Sequence, residues 1–352
     1  MYSKILTLFF LLVPFLLLPY QFDFTLKGEK FPLKILKGFF PSLFPEWKIE
    51  GEISPSITLQ SKGEILRVKG EAKIHNLRIS SEKKRLSIDA EKIMIKDIDI
   101  RREGKSCIMY FIIESPSCKI SLIQIENLEI SFRWDGKRVF LDYFKGEWGK
   151  GKIQIYGYFF TTASPTFDLS GKGRDVSLSQ VFYTDRFEGK LNLDFKLRGK
   201  IKDPSTINGE ATLEIREGEL GKIPYLLDIF SLIFTGKPTR IALTSAEGEF
   251  DIRHGYAYTQ NLRLWGKGVS VLAKGYIGWN RKVDLLISFY FTRELLRFTP
   301  LTEIVGLIID NVGNALVRVR MTGTLNHPNY SILPLPVGEE IKDILEKLFN
   351  IK

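Results

Sequence analysis

Leu191-Asn192-Leu193-Asp194-Phe195-Lys196-Leu197 alternates apolar and polar residues without a break. A side-chain period of two means a strand with one apolar face and one wet face. The pattern returns at Leu213 and Ile215, and at Val283, Leu285, Ile287, Phe289 and Phe291. It returns again at Val317, Val319 and Met321, with Arg318 and Arg320 between them. Repeated along most of the chain, it predicts a long sheet with a continuous apolar side. Few helical segments are available as cover, so what occupies that side is the functional question.

Outward from this stretch, the same reading places strands over Phe167–Gly173, Ile207–Arg216, Thr239–Arg253, Tyr256–Trp265, Val269–Ile277, Val283–Phe291 and Ala315–Thr324. In the first half, strands are expected at Ile57–Ser61, Ile65–Gly70, Ala72–Ile79, Leu86–Ala90, Ile93–Ile100 and Ile108–Ile113. Ile120–Phe132, Val139–Phe144 and Ile153–Phe160 follow. Turn signals such as Asp135-Gly136-Lys137 and Gly149-Lys150-Gly151 are short, which requires antiparallel neighbours. Helices are expected over Val176–Tyr183 and Pro224–Phe234, where Pro sits in the first turn. Two more are expected over Arg293–Asn311, broken by Pro300, and over Gly338–Phe349. Leu301–Ile309 reads as a cap on the β core or a segment dipping into a membrane or a groove end. The last helix, with Ile341, Ile344, Leu345, Leu348 and Phe349 at helical spacing, has three readings: plugging an open end, touching a membrane, or meeting a partner. Glycine recurs near every tenth residue, at Gly157, Gly171, Gly189, Gly199, Gly209, Gly218, Gly248, Gly255, Gly275 and Gly323. This spacing reads as strand ends and tight hairpins, which need positive φ.

The chain has 352 residues and is 44% hydrophobic, enough for a sizeable core. Its net charge of +10 points to an anionic partner or, without any block of five basic residues, to a mixed solvated surface. From Ile5 to Phe22 there is no charged residue, and Lys4 precedes the run. Such a run sits at the lower edge of what spans a bilayer. A leading lysine favours a retained anchor with an exported body. A cleaved signal peptide is the alternative, although no small-residue cleavage site follows. Export would permit a disulfide between Cys107 and Cys118, the only two cysteines. Two free thiols are the equal alternative.

Catalytic chemistry is sparse. His75, His254 and His327 lie in separate regions without metal-ligand spacing, and no nucleophile elbow occurs. Asp97 and Asp99 lie two apart, as paired carboxylates would, but among Ile95, Ile98 and Ile100 they read as a solvated strand face. Phe132-Arg133-Trp134 is too common a triplet to indicate nucleic acid. The residues therefore point to a protein that is not an enzyme, needs no cofactor or metal, and has no nucleic-acid partner.

An ordered series of short motifs fills the second half. Gly157-Tyr158-Phe159-Phe160 comes first, then Asp168-Leu169-Ser170-Gly171-Lys172-Gly173 and Asp175-Val176-Ser177-Leu178. Phe187-Glu188-Gly189 follows, with Leu197-Arg198-Gly199, then Ile207-Asn208-Gly209 through Gly218. The helix from Ile223 to Phe234 is next, then Ala246-Glu247-Gly248-Glu249-Phe250, His254-Gly255 and Ala273-Lys274-Gly275. Val319 to Leu325 and His327-Pro328, running on to Pro334, close the series. In order and spacing it resembles the AsmA-like family, the relatives of TamB and YhdP, most clearly over 157–334.

The resemblance implies a single N-terminal anchor in a bacterial inner membrane, with the body in the periplasm. It implies a mainly β fold: an elongated, curled antiparallel sheet forming an apolar, β-taco-like groove, with few short helices. It also implies phospholipid as partner, transport between inner and outer membranes, and outer-membrane homeostasis. The parts would be an anchor over 1–24, a linker or short helix over 25–46, the N-terminal groove over 47–156, the AsmA-like groove over 157–334, and an amphipathic helix over 335–352. Residue pattern and resemblance agree on the groove lining: Leu191, Leu193, Phe195, Leu197, Leu213, Ile215, Val283, Leu285, Ile287, Phe289, Val317 and Val319. About 18–20 strands at ~4.8 Å give a sheet of roughly 90 Å. That is short for bridging two membranes, so an envelope protein or oligomer extending the groove is a further expected partner. The alternative reading is a non-enzymatic scaffold or assembly factor for outer-membrane biogenesis whose groove holds a protein segment.

Overall fold

The structure, a computed structural model, describes residues 21–33, 46–83, 85–104, 106–161, 164–183, 188–233, 242–296, 308–309, 315–334 and 339–349. Of the anchor expected over 1–24, residues 1–20 lie outside them, and Phe22–Phe24 belong to a strand. Among the described residues, no helix is long and apolar enough to cross a membrane. The chain divides into two units, Met1–Gly171 and Lys172–Lys352. The sequence reading divides it at 156/157 instead.

The first unit contains β1 (Phe22–Lys27), β2 (Phe31–Pro32), β3 (Lys48–Lys62), β4 (Ile65–Ser81) and β5 (Leu86–Glu103). β6 (Ser106–Ile120), β7 (Ile123–Trp134), β8 (Arg138–Trp148) and β9 (Gly151–Phe160) follow, and the unit ends inside β10 (Thr166–Ser177). β1 and β2 both pair with β3. From β3 onward each strand pairs antiparallel with the next. The turns follow from their residues. Gly149 and Lys150, at φ +56° and +65°, make the tight β8–β9 connection. The Asp135 carboxylate accepts the backbone N–H groups of Lys137 and Arg138 at 3.0 and 2.7 Å and shapes the β7–β8 turn.

Several strands are longer than alternation predicts. The two short runs 65–70 and 72–79 are one strand, β4, carried through a register shift between Gly70 and Ala72. β5 likewise continues through a bulge between Lys96 and Asp99, with Asp97 at φ +52°. Asp99 is held by Arg67 at 2.9 Å, and Asp97 is exposed. The core of this unit includes Leu59, Ile98 and Met109, each at most 2% exposed, with no described helix over it. The open antiparallel sheet reaches that burial by curling its apolar face inward.

Cys107 and Cys118 belong to this core, and their placement corrects the disulfide reading. Both are buried, reduced, and on the same strand, β6. Eleven residues along a strand separate them by about 36 Å, whereas a disulfide needs Cα atoms within about 7 Å. Burial pushes both thiols up from their ordinary range.

The second unit holds the rest of β10 and a one-turn helix α1 (Leu178–Phe182). Next come β11 (Lys190–Lys200), β12 (Asp203–Arg216) and helix α2 (Pro224–Ile233). β13 (Leu243–Arg253), β14 (Tyr256–Gly266), β15 (Val269–Gly278) and β16 (Lys282–Phe291) follow. A short α3 (Arg293–Leu296), β17 (Ile308–Ile309), β18 (Ala315–Thr324), β19 (His327–Leu333) and α4 (Glu339–Phe349) complete it. The strands from β11 to β19 are antiparallel, and β16 pairs with β18. Of the segment expected as a helix over 293–311, only α3 and β17 are described. Ile308 and Ile309 pair with Leu316 and Ala315 as strand, not helix.

The glycine series is corrected as well. Gly209 and Gly275 sit inside strands, at φ +154° and +135°. A Cβ at Gly209 would stand 1.9 Å from the Lys196 carbonyl oxygen, and one at Gly275 would stand 2.0 Å from that of Asp284. Here glycine lets neighbouring backbones approach within a strand rather than close a hairpin.

Candidate functional site: the apolar face of the second unit

Cross-strand partners share a face, so register shows which side chains meet. Leu191 pairs with Ile215, Leu193 with Leu213, and Phe195 with Ala211. Ile215 pairs with Ala246, Ala246 with Leu264, and Leu264 with Val271. Val271 then pairs with Phe289, Phe289 with Val317, and Ile287 with Val319. Leu197 lies two residues beyond Phe195 on the same face. Val283 and Leu285 share the face of Ile287. All twelve candidates from the sequence therefore occupy one face of the second unit.

That face is not equally covered. Phe289, Val317 and Val319 are fully buried at 0% exposure, and Val283, Leu285 and Ile287 are also buried. The cover is α2. Its inward residues Ile229, Phe230 and Ile233 are buried, and the Phe230 ring meets Phe289 edge-on at 5.5 Å. The spacing 226, 229, 230, 233 follows the helical period, which puts one apolar stripe on the sheet. The Tyr330 hydroxyl on β19 donates to Asp228 of α2 at 3.4 Å. Burial first, and then that carboxylate, pushes the Tyr330 phenol up to about 12. Half of the expected lining is thus buried core, with α2 seated over Phe289.

Toward β11 and β12 burial falls off. Leu191 is still buried, but Leu193, Phe195, Leu197, Leu213 and Ile215 are half-buried. Phe250 of β13, half-buried and paired with Ala211, extends the row Phe195–Ala211–Phe250. Sequence reading missed Phe250. Its signal was available in Ala246, Gly248, Phe250 and Ile252 alternating with Glu247, Glu249 and Asp251.

The wet face of the same strands is laced with ion pairs. Arg174 grips Asp194 with both carboxylate oxygens at 2.7 Å, and Lys196 meets Glu210 at 3.1 Å. Asn192, and then Arg216, hold the Glu214 carboxyl below its ordinary range. These exposed pairs contribute little stability each, but they fix which face of β11 and β12 is wet.

The C-terminal helix packs on the opposite face of the sheet rather than plugging an end of the apolar one. Ile344 and Leu348 of α4 pack with Leu272 and Leu316. Leu272 pairs with Ser288 and Leu316 with Tyr290, positions that alternate with the α2-covered residues. Lys274 binds Asp343 at 2.9 Å, and Arg263 donates to the Lys347 carbonyl at 3.1 Å near the helix C-terminus. The sheet here is covered on both sides.

The uncovered stretch offers no acid, base or nucleophile on its apolar side. Among the described residues, no group of three or more His, Cys, Asp or Glu side chains is placed to hold a metal. Its chemistry is that of a dry surface. Compared with family models, curated proteins and solved structures, the chain matches none.

Proposed function

We propose that the uncovered apolar stretch of β11–β13 shelters phospholipid acyl chains, and that the protein is a membrane-anchored periplasmic member of the AsmA-like family. In this reading it takes part in lipid transport between inner and outer membranes. The supporting observation is the row Leu193, Phe195, Leu197, Leu213 and Phe250, half-buried on the face whose β16–β18 end is buried, with α2 over Phe289. Covering roughly 200 Å² of acyl surface there is worth about 5 kcal/mol at ~25 cal/mol per Å². The groove comprises this open stretch, while the β16–β18 end serves as its foundation. No enzyme activity belongs to this reading.

The test is quantitative lipid mass spectrometry on the full-length protein and on F195D/L213D, purified identically. Phospholipid is expected in fixed ratio to the wild type and lost from the variant. Equal lipid in both refutes acyl binding at this site. If the variant keeps its lipid but loses a protein partner, the scaffold reading replaces the present one.

A further inference from the structure

The hairpin turns at one edge of the second unit form a continuous row. Gly255 donates its N–H to the Ile207 carbonyl at 3.2 Å, Trp279 to Gly255 at 2.9 Å, and Leu325 to Arg281 at 2.8 Å. These bonds set the first part of β12 and the β13–β14, β15–β16 and β18–β19 connections side by side. A side chain at Gly255 would strike the Trp279 ring at 2.9 Å and the Pro204 carbonyl at 2.9 Å, so the turns are in contact.

This edge is basic. Arg198, Lys200, Lys202, Arg281 and Lys282 are exposed, and none makes an ion pair among the described residues. The nearby acids are engaged: Asp203 accepts from Ser205, and Asp251 binds Arg253. Amid these cations Trp279 is 52% exposed. The opposite edge differs, with Glu188, Glu217 and Glu219 beside Lys190, and Lys190 is paired to Glu217 at 3.0 Å.

We infer that the basic turn edge docks on an anionic phospholipid bilayer. Unpaired cations next to an anionic surface gain attraction without first breaking an ion pair, by about fivefold in binding for each Lys or Arg. An amphipathic indole is at home at headgroup depth. The alternation that buries the sheet's apolar face leaves this edge as polar turn backbone, suited to the headgroup layer rather than to the hydrocarbon. This docking surface stands apart from acyl binding on the sheet face, and each can fail without the other.

The experiment places the full-length protein in vesicles of phosphatidylcholine, with or without phosphatidylglycerol, and measures tryptophan quenching by brominated lipid. The signal of Trp279 is the wild type minus W279F. Quenching of Trp279 is expected only with phosphatidylglycerol and is expected to fade at high salt. In K200Q/K202Q/R281Q/K282Q, which removes four cations, the binding constant should fall about 600-fold, abolishing the signal. W265F, which removes an indole near the opposite edge, should leave the phosphatidylglycerol-dependent signal unchanged. Unchanged circular dichroism in the charge variant separates lost docking from lost folding. Equal quenching without phosphatidylglycerol, or no Trp279 quenching with it, overturns the inference. So does docking on duplex DNA that is lost in the same variant and is stronger than docking on the vesicles.

Discussion

Two phenylalanines on one face provide the sharpest test of where that face is working surface and where it is core. Phe289 is fully buried, with the Phe230 ring at 5.5 Å and Phe291 stacked at 6.0 Å. Phe289→Ala leaves a cavity closed by α2 and forfeits both ring contacts, for a cost of about 3–5 kcal/mol. Phe195 is only half-buried and faces Ala211 across the strand pair. Truncating it leaves no closed cavity and removes about half a ring from partial shelter, worth about 1 kcal/mol. With ~2–4 °C per kcal/mol for a unit of this size, F289A should lower the midpoint by roughly 6–20 °C and F195A by roughly 2–4 °C. Thermal unfolding of the full-length protein, followed by circular dichroism, gives both numbers under the same conditions. If F195A falls as far as F289A, the β11–β12 end is packed core and has no room for an acyl chain.

Three further outcomes follow from particular contacts. Gly209→Ala puts a Cβ 1.9 Å from the Lys196 carbonyl at φ +154°; it should cost about 2–4 kcal/mol in denaturant titration, and a neutral result would mean that this backbone approach is not maintained. Thiol titration without reductant should count two free thiols after denaturation and almost none in the native protein, since Cys107 and Cys118 are both buried on β6; a missing thiol after denaturation would contradict the strand assignment. Tyr330 carries a phenol raised from 10.0 to about 12, so its anchoring of α2 is fully present below pH 10 and lost as pH rises from about 10 to 12. Tyr330→Phe should therefore be less stable than the wild type near neutrality and should match it above pH 12, and a gap that persists there would assign the effect to packing.

The sequence makes the second half legible because its strands keep strict alternation. Ala315–Thr324 is the same in sequence and structure, since Val317, Val319 and Met321 are backed by one covered face. Alternation failed where bulges interrupt it. Gly70 inserts a step that shifts the period in β4, and Glu91-Lys92 set two exposed residues side by side in β5, so each looks like a pair of short strands. Cover was the other blind spot. A helical period identifies α2 but not its seat, because the partner surface of Phe289 and Val317 is assembled from residues far apart in sequence. The docking of α4 did leave a trace: Val271-Leu272 and Leu316-Val317 place apolar residues on both faces at once, which is how a strand covered on two sides reads. The open stretch was identified as apolar but not as open, since half-burial depends on where α2 stops.

The pairing order within each unit has a consequence for how the chain is built. From β3 to β9, and again from β11 to β16, every strand lies beside its predecessor in sequence. Most of these connections span only a few residues, so closing each hairpin costs little loop entropy. A new strand needs only the one made just before it, not a segment still to be synthesised. Such a chain can zip up in the order in which it emerges, each finished edge serving as template for the next strand.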